Sequence, residues 1–181
     1  MEKIDLFKRI EEAKITQKKG NFFEANNIFQ DLLKSNKESF DLLYAYGLFC
    51  KEEKNFNLAK RVFLTLINKF PSSINPYILL AEILRLENKF KDAEQLLQNA
   101  MQIDPNHSDL LYNFSLLYFV SRNFDHALIL IEKAIKLSKN NDIYKLLKSE
   151  IYINKYNLDE AINIIEGIKN EKVIKDKNLE I

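Results

Sequence analysis

Glycine and proline together number six in 181 residues, cysteine occurs once, histidine twice and tryptophan not at all. Each scarcity closes an avenue. Gly20, Gly47 and Gly167 are too scattered to build the backbone cradle of a phosphate-binding loop. The lone Cys50 gives no disulfide, and its surroundings in the sequence suit a buried small hydrophobe better than a reactive thiol. Neither His107 nor His126 has a second His, Cys or carboxylate at a metal-ligand spacing, so both are expected as solvent-facing polar side chains, and neither metal nor cofactor is expected. Paired carboxylates such as Glu11-Glu12 and Glu52-Glu53 are sequence neighbours and diverge on a helix, which leaves no acid–base couple and no expected enzyme activity. Charge of one sign is lacking too. With 27 basic and 26 acidic residues well mixed along the chain, no basic face for nucleic acid is expected. Long apolar runs are also missing: residues 1–20 are charged throughout, unlike a signal peptide, and no stretch has the length of a membrane span. A cytoplasmic protein is the expectation.

What the chain does have is a ladder. Ala25, Ala59, Ala93, Ala127 and Ala161 stand 34 residues apart without slippage. Placing each at position 20 divides the chain into copies 6–39, 40–73, 74–107, 108–141 and 142–175. Position 17 then holds Phe22, Phe56, Phe90, Phe124 and Leu158, and position 24 holds Phe29, Phe63, Leu97, Ile131 and Ile165. Position 8 is always small: Ala13, Gly47, Ala81, Ser115 and Ser149. Within a copy the apolar residues recur at spacings of three and four, as on a helix. Tyr77, Leu80, Ala81 and Leu84 form one such stripe, and Ala93, Leu96, Leu97 and Ala100 a second. Two antiparallel helices per copy follow, here helix A and helix B, with the small residues at 8 and 20 letting their backbones approach closely. Asparagine at position 16 (Asn21, Asn55, Asn123, Asn157) is placed to cap helix B, and Pro71 and Pro105 at position 32 to end it.

This pattern resembles the tetratricopeptide repeat family, whose signature sets Leu, Tyr-Gly, Ala, Phe and Pro at fixed offsets in 34 residues. It stands out in the second copy (Leu43, Tyr46-Gly47, Ala59, Phe63, Pro71), in the third (Tyr77, Leu80-Ala81, Ala93, Pro105) and in the fourth (Leu111, Phe114-Ser115, Tyr118, Ala127). The resemblance implies an all-α fold, a right-handed superhelical solenoid of antiparallel helix pairs, with residues 1–181 as a single domain. The outer copies depart from the signature. Arg9 and Glu12 replace apolar residues in the first copy, as an N-terminal cap would, and Lys145 and Lys148 do so in the fifth. Residues 176–181 are either a short polar cap or the start of a sixth copy, with continuation slightly favoured.

Function is expected as a non-enzymatic scaffold binding a peptide or helix of a protein partner. In this family helix A lines the concave face, chiefly at positions 2, 5, 9, 12 and 13. Carried onto this chain, the expected groove comprises Tyr44, Leu48, Ile78, Glu82, Arg85, Tyr112, Asn113, Leu116, Phe119, Leu146, Glu150 and Ile153. Its early part is mixed and charged (Lys14, Lys18, Lys51, Glu52), and its late part is apolar, with Val120 and Leu147 adding to the residues above. The carboxylate clamp by which some relatives hold acidic chaperone tails is not expected, because Ile78 and Glu82 precede Asn113 where Lys and Asn would be needed. Two alternatives stand beside the scaffold: a substrate-positioning arm of a larger enzyme of the glycosyltransferase or sulfotransferase type, and a chaperone for a secretion or envelope-assembly client.

Overall fold

The computed structural model describes residues 3–139 and 141–168, and among these it contains ten helices and no strand. In order they are α1 (Lys3–Lys18), α2 (Phe22–Ser35), α3 (Phe40–Glu52), α4 (Phe56–Lys69), α5 (Ile74–Leu86), α6 (Phe90–Ile103), α7 (Ser108–Val120), α8 (Phe124–Leu137), α9 (Asp142–Asn154) and α10 (Leu158–Glu166). The residue at position 17 opens every helix B, from Phe22 to Leu158, so the 34-residue period of the sequence is the period of the helices. Residues 176–181, read above as cap or sixth copy, lie outside the described residues.

The chain divides into two compact units, Met1–Ile83 and Leu84–Ile181. In the first, α1 pairs with α2 and α3 with α4, and short turns make each pair antiparallel. Ala13, Ala25 and Ala59 are completely buried where paired helices meet. Gly47 shows why that position is small: a Cβ built on it would lie 2.6 Å from Cε1 of Phe63. Phe29 fills the space between α2 and α3, its ring 5.5 Å from that of Tyr46 and 5.2 Å from that of Phe49.

In the second unit α7 pairs with α8, α9 packs on both α8 and α10, and Ala93, Ala127 and Ala161 are again buried. Leu111, Ala127, Ile131, Ala134, Tyr144, Leu147 and Ile151 form its core. The buried small polar residues are satisfied locally. Ser115 Oγ donates to the Ala127 carbonyl and Ser149 Oγ to the Leu146 carbonyl, each at 2.8 Å, so burial of the two hydroxyls leaves no orphaned donor. The lysines that break the pattern in the fifth copy are accommodated by partners: Lys145 pairs with Asp142 at 2.8 Å and Lys148 with Glu132 at 2.9 Å.

The turn from helix A to helix B is the same in every copy. Position 15 takes a left-handed conformation at Gly20, Lys54, Asn88, Arg122 and Tyr156, with φ of 84°, 57°, 59°, 59° and 58°. The amide after it reaches back five residues: Asn55 to the Cys50 carbonyl at 2.8 Å, and Asn123 to the Tyr118 carbonyl at 2.8 Å. That is the Schellman ending of a helix, which satisfies carbonyls left open in the last turn. The asparagine at position 16 thus serves through its backbone. Its expected side-chain cap forms in two copies, where Asn55 accepts from the Leu58 amide and Asn157 from the Glu160 amide. Asn21 makes no side-chain cap, and Asn123 bonds His126 Nδ1 instead, at 2.8 Å.

Candidate functional site

Helix A supplies the residues of the expected groove, and each unit presents its own part. In the unit ending at Ile83, Tyr44 is half-buried and stacks on Phe40 with centroids 5.7 Å apart, and burial pushes its hydroxyl above the usual phenol range. Leu48 is half-buried one turn further along α3. Ile78 is buried at 7% exposure and therefore offers little to a ligand. Glu82 is half-buried and accepts from Lys51 Nζ at 2.5 Å.

Lys14, Lys51 and Glu52 of this stretch are engaged within the chain. Lys14 pairs with Glu11 at 2.6 Å, and Gln17 Nε2 donates to Glu52 Oε2 at 2.9 Å and to Glu53 Oε1 at 3.0 Å. Such half-exposed pairs add little stability, but they hold the lysines against carboxylates and discourage an acidic guest.

In the unit from Leu84 onward the face is apolar. Tyr112, Leu116 and Phe119 are all half-buried on α7 and rest on the core described above. Tyr112 stacks on Tyr144 at 5.0 Å, and Phe119 meets Phe124 at 5.9 Å. Tyr144 is itself anchored, its hydroxyl donating to Asp109 Oδ1. Burial, and then the Asp109 carboxylate, push that hydroxyl up to about 12, so it stays protonated and donating at neutral pH. Val120 extends the strip at 41% exposure, and Ile153 holds the position on α9 equivalent to Phe119, half-buried. Asn113 donates to the Asp109 carbonyl at 2.8 Å, an intrahelical bond. Glu150 and Arg85 are half-buried. Leu146, at 2% exposure, belongs to the interior rather than to a surface. Ile78 and Leu146 share position 5 with Tyr44 and Tyr112. A branched aliphatic chain there ends inside the packing, whereas the longer tyrosine reaches past it.

Other sequence-flagged residues have structural places. Cys50 is 2% exposed, and burial pushes its thiol up to about 11, far from a reactive thiolate. His107 corrects the expectation of a purely solvent-facing side chain: it is half-buried and caps α7, Nδ1 accepting from the Leu110 amide at 3.3 Å. His126 is exposed beside the Tyr118 ring, 5.4 Å away. Among the described residues no three His, Cys, Asp or Glu side chains converge as a metal would require, and no helix is long and apolar enough to cross a membrane. The common left-handed turn was not legible beforehand. Gly20 and Asn88 were its signals, and the remaining copies fill position 15 with Lys54, Arg122 and Tyr156, which do not advertise it.

Against known proteins, residues 84–151 match the tetratricopeptide repeat family. Among curated proteins the chain is similar to the mitochondrial import receptor subunit TOM70 of Mus musculus, 24% identical over 123 residues. That match covers 67% of this chain but only 20% of the mouse protein, so the chain spans a small part of such relatives. Among solved structures it is similar to a thermophilic TPR protein of Thermus thermophilus, with a TM-score of 0.79 at 19% identity, covering 94% of this chain and 96% of that one. It is also similar to PilF of Pseudomonas aeruginosa, with a TM-score of 0.76 at 16% identity, covering 93% and 79%.

Proposed function

We propose that this chain, a tetratricopeptide-repeat protein by its helix pairs and its family match, is a non-enzymatic scaffold that holds a peptide or helix of a protein partner. The α7 face receives an apolar or aromatic anchor from that partner. One observation carries this reading: Tyr112, Leu116 and Phe119 are fixed from behind by the core while keeping part of their apolar surface open, continuous along α7 with exposed Val120. Side chains already ordered by packing lose little further entropy on binding, so the apolar area they cover is converted efficiently into affinity. A receptor subunit among the relatives agrees with a role in holding other proteins.

The test is selection of amphipathic helical peptides on the wild-type chain, followed by binding to two variants. Tyr112→Ser with Phe119→Ser removes the platform and also some packing, so its fold is checked by circular dichroism. Val120→Glu leaves the core untouched and places a charge on the strip. Both are expected to weaken binding by about tenfold or more, the effect of roughly 1.4 kcal/mol. Unchanged binding by both variants refutes the assignment.

A further inference from the structure

We infer that a cleft between α2 and α3 seats a lysine side chain of a partner chain. The cleft has a volume of about 410 Å³ and lies within the unit ending at Ile83. Phe22, Phe23, Tyr46 and Phe49 line it together with Gln30 and Glu53. Tyr46 and Phe49 are nearly buried, with stacked rings 6.1 Å apart, whereas Phe22 and Phe23 stand at the rim, 49% and 80% exposed. The two exposed rings at the rim and the Glu53 carboxylate, with the buried Tyr46 and Phe49 as floor and no basic residue in the lining, form a cation seat: the rim rings attract a positive charge, and the carboxylate accepts its protons. Among the described residues Glu53 forms no salt bridge. Its Oε1 accepts only a neutral amide proton, from Gln17 at 3.0 Å.

The repeat supplies its own comparison. Phe23 and Gln30 occupy positions 18 and 25 of their copy, and Tyr46 and Glu53 occupy positions 7 and 14 of the next. In the fourth and fifth copies these same positions hold Asp125, Glu132, Lys148 and Lys155. There Lys155 pairs with Asp125, and Lys148 pairs with Glu132 at 2.9 Å with its ammonium 5.6 Å from the centre of the Tyr152 ring. At that junction alone the chain fills the equivalent place with two of its own lysines; positions 7 and 14 are Leu80 and Glu87 in the third copy and Phe114 and Ser121 in the fourth. In the first two copies aromatic rings and a carboxylate replace those lysines and their partners, and Gln30 donates to the Tyr46 hydroxyl at 2.5 Å in place of the Glu132–Lys148 pair. In the earlier cleft Phe23, Gln30 and Cys50 stand where Asp125, Glu132 and Tyr152 hold the lysines, and the one carboxylate, Glu53, has no cation of this chain opposite it among the described residues, so the cation comes from outside.

This site is separate from the α7 face, in residues and in unit, and failure at one leaves the other standing. The probe is N-acetyl-lysine methylamide, titrated against the full chain and followed by amide chemical shifts, with N-acetyl-norleucine methylamide as the uncharged counterpart. Lysine is expected to shift the amides around Phe22, Phe23, Phe49 and Glu53 with a dissociation constant on the order of 1–10 mM, as a single side chain would. Norleucine should bind about tenfold more weakly, and Glu53→Gln should weaken lysine by a similar factor. Phe23→Asp combined with Glu53→Lys installs the later copies' ion pair and should abolish the shifts while the rest of the spectrum persists. Equal binding of norleucine, shifts centred elsewhere, no shifts at all, or wild-type binding by the Phe23→Asp, Glu53→Lys chain would each overturn the assignment.

Discussion

Replacing Gly47 by alanine sets two effects of known sign against each other. Alanine in mid-helix is favoured over glycine by about 1 kcal/mol. The added methyl, however, would lie 2.6 Å from Cε1, 3.0 Å from Cζ and 3.1 Å from Cδ1 of Phe63, where carbon atoms normally settle at about 3.5–4.0 Å. Phe63 has no exposed surface into which its ring could retreat. Overpacking of this kind costs about 1–3 kcal/mol. Net destabilisation of about 1 kcal/mol is expected for Gly47→Ala. Phe63→Leu alone costs a comparable amount through lost packing. Together they reproduce the third copy, where Ala81 and Leu97 sit buried at 2% and 1% exposure. The double variant should then be more stable than the sum of the singles by about 1–2 kcal/mol. The first copy manages alanine with phenylalanine because Phe29 leans against Tyr46 and Phe49. Urea unfolding followed by circular dichroism, with amide exchange in α3 and α4 as the local readout, measures the cycle. A Gly47→Ala chain more stable than wild type, or strictly additive singles, would refute the packing argument.

The shared left-handed turn makes a second prediction. Arg122→Gly at φ 59° relieves a conformation that costs a side-chain-bearing residue about 1–2 kcal/mol, partly offset by the freer unfolded glycine, so the urea midpoint should rise by the equivalent of about 0.5 kcal/mol. An unchanged or lower midpoint contradicts it. The tyrosines predict the alkaline limit. Tyr46, Tyr118 and Tyr144 are each pushed up to about 12, by burial first and, for the latter two, by Glu94 and Asp109. Because the folded values lie above the unfolded 10.0, this stability is complete below pH 10 and is lost as pH rises toward 12. Tyr46, at 2% exposure, accounts for on the order of 2 kcal/mol of it. Tyrosinate absorbance should show a late-titrating set that collapses with unfolding, and uniform titration at the ordinary value would exclude it.

The helices were legible because a 34-residue ladder of small residues survives in every copy, and close helix packing tolerates nothing else at Ala25, Ala59 or Ala127. The face was legible only as a set of positions. Tyr112 and Leu146 occupy the same one, yet one is half-buried at the surface and the other is interior, since side-chain reach decides the outcome and periodicity is blind to it. The left-handed turn was hidden because helix pairing imposes it on Lys54, Arg122 and Tyr156 against their local preference. The aromatic cleft was hidden for another reason: it joins residues 22–30 with residues 46–53 and has meaning only beside the lysines that fill its counterpart.

Site-specific photocrosslinking tests the central claim most directly. A benzophenone side chain at Leu116 samples the α7 face, and one at Ile129, an apolar residue 66% exposed on α8, samples an equally sticky surface outside it. With a selected helical peptide, the account predicts a crosslink from position 116 that Val120→Glu suppresses, and none from position 129. Equal crosslinking from both, or an undiminished crosslink in the Val120→Glu chain, would contradict it.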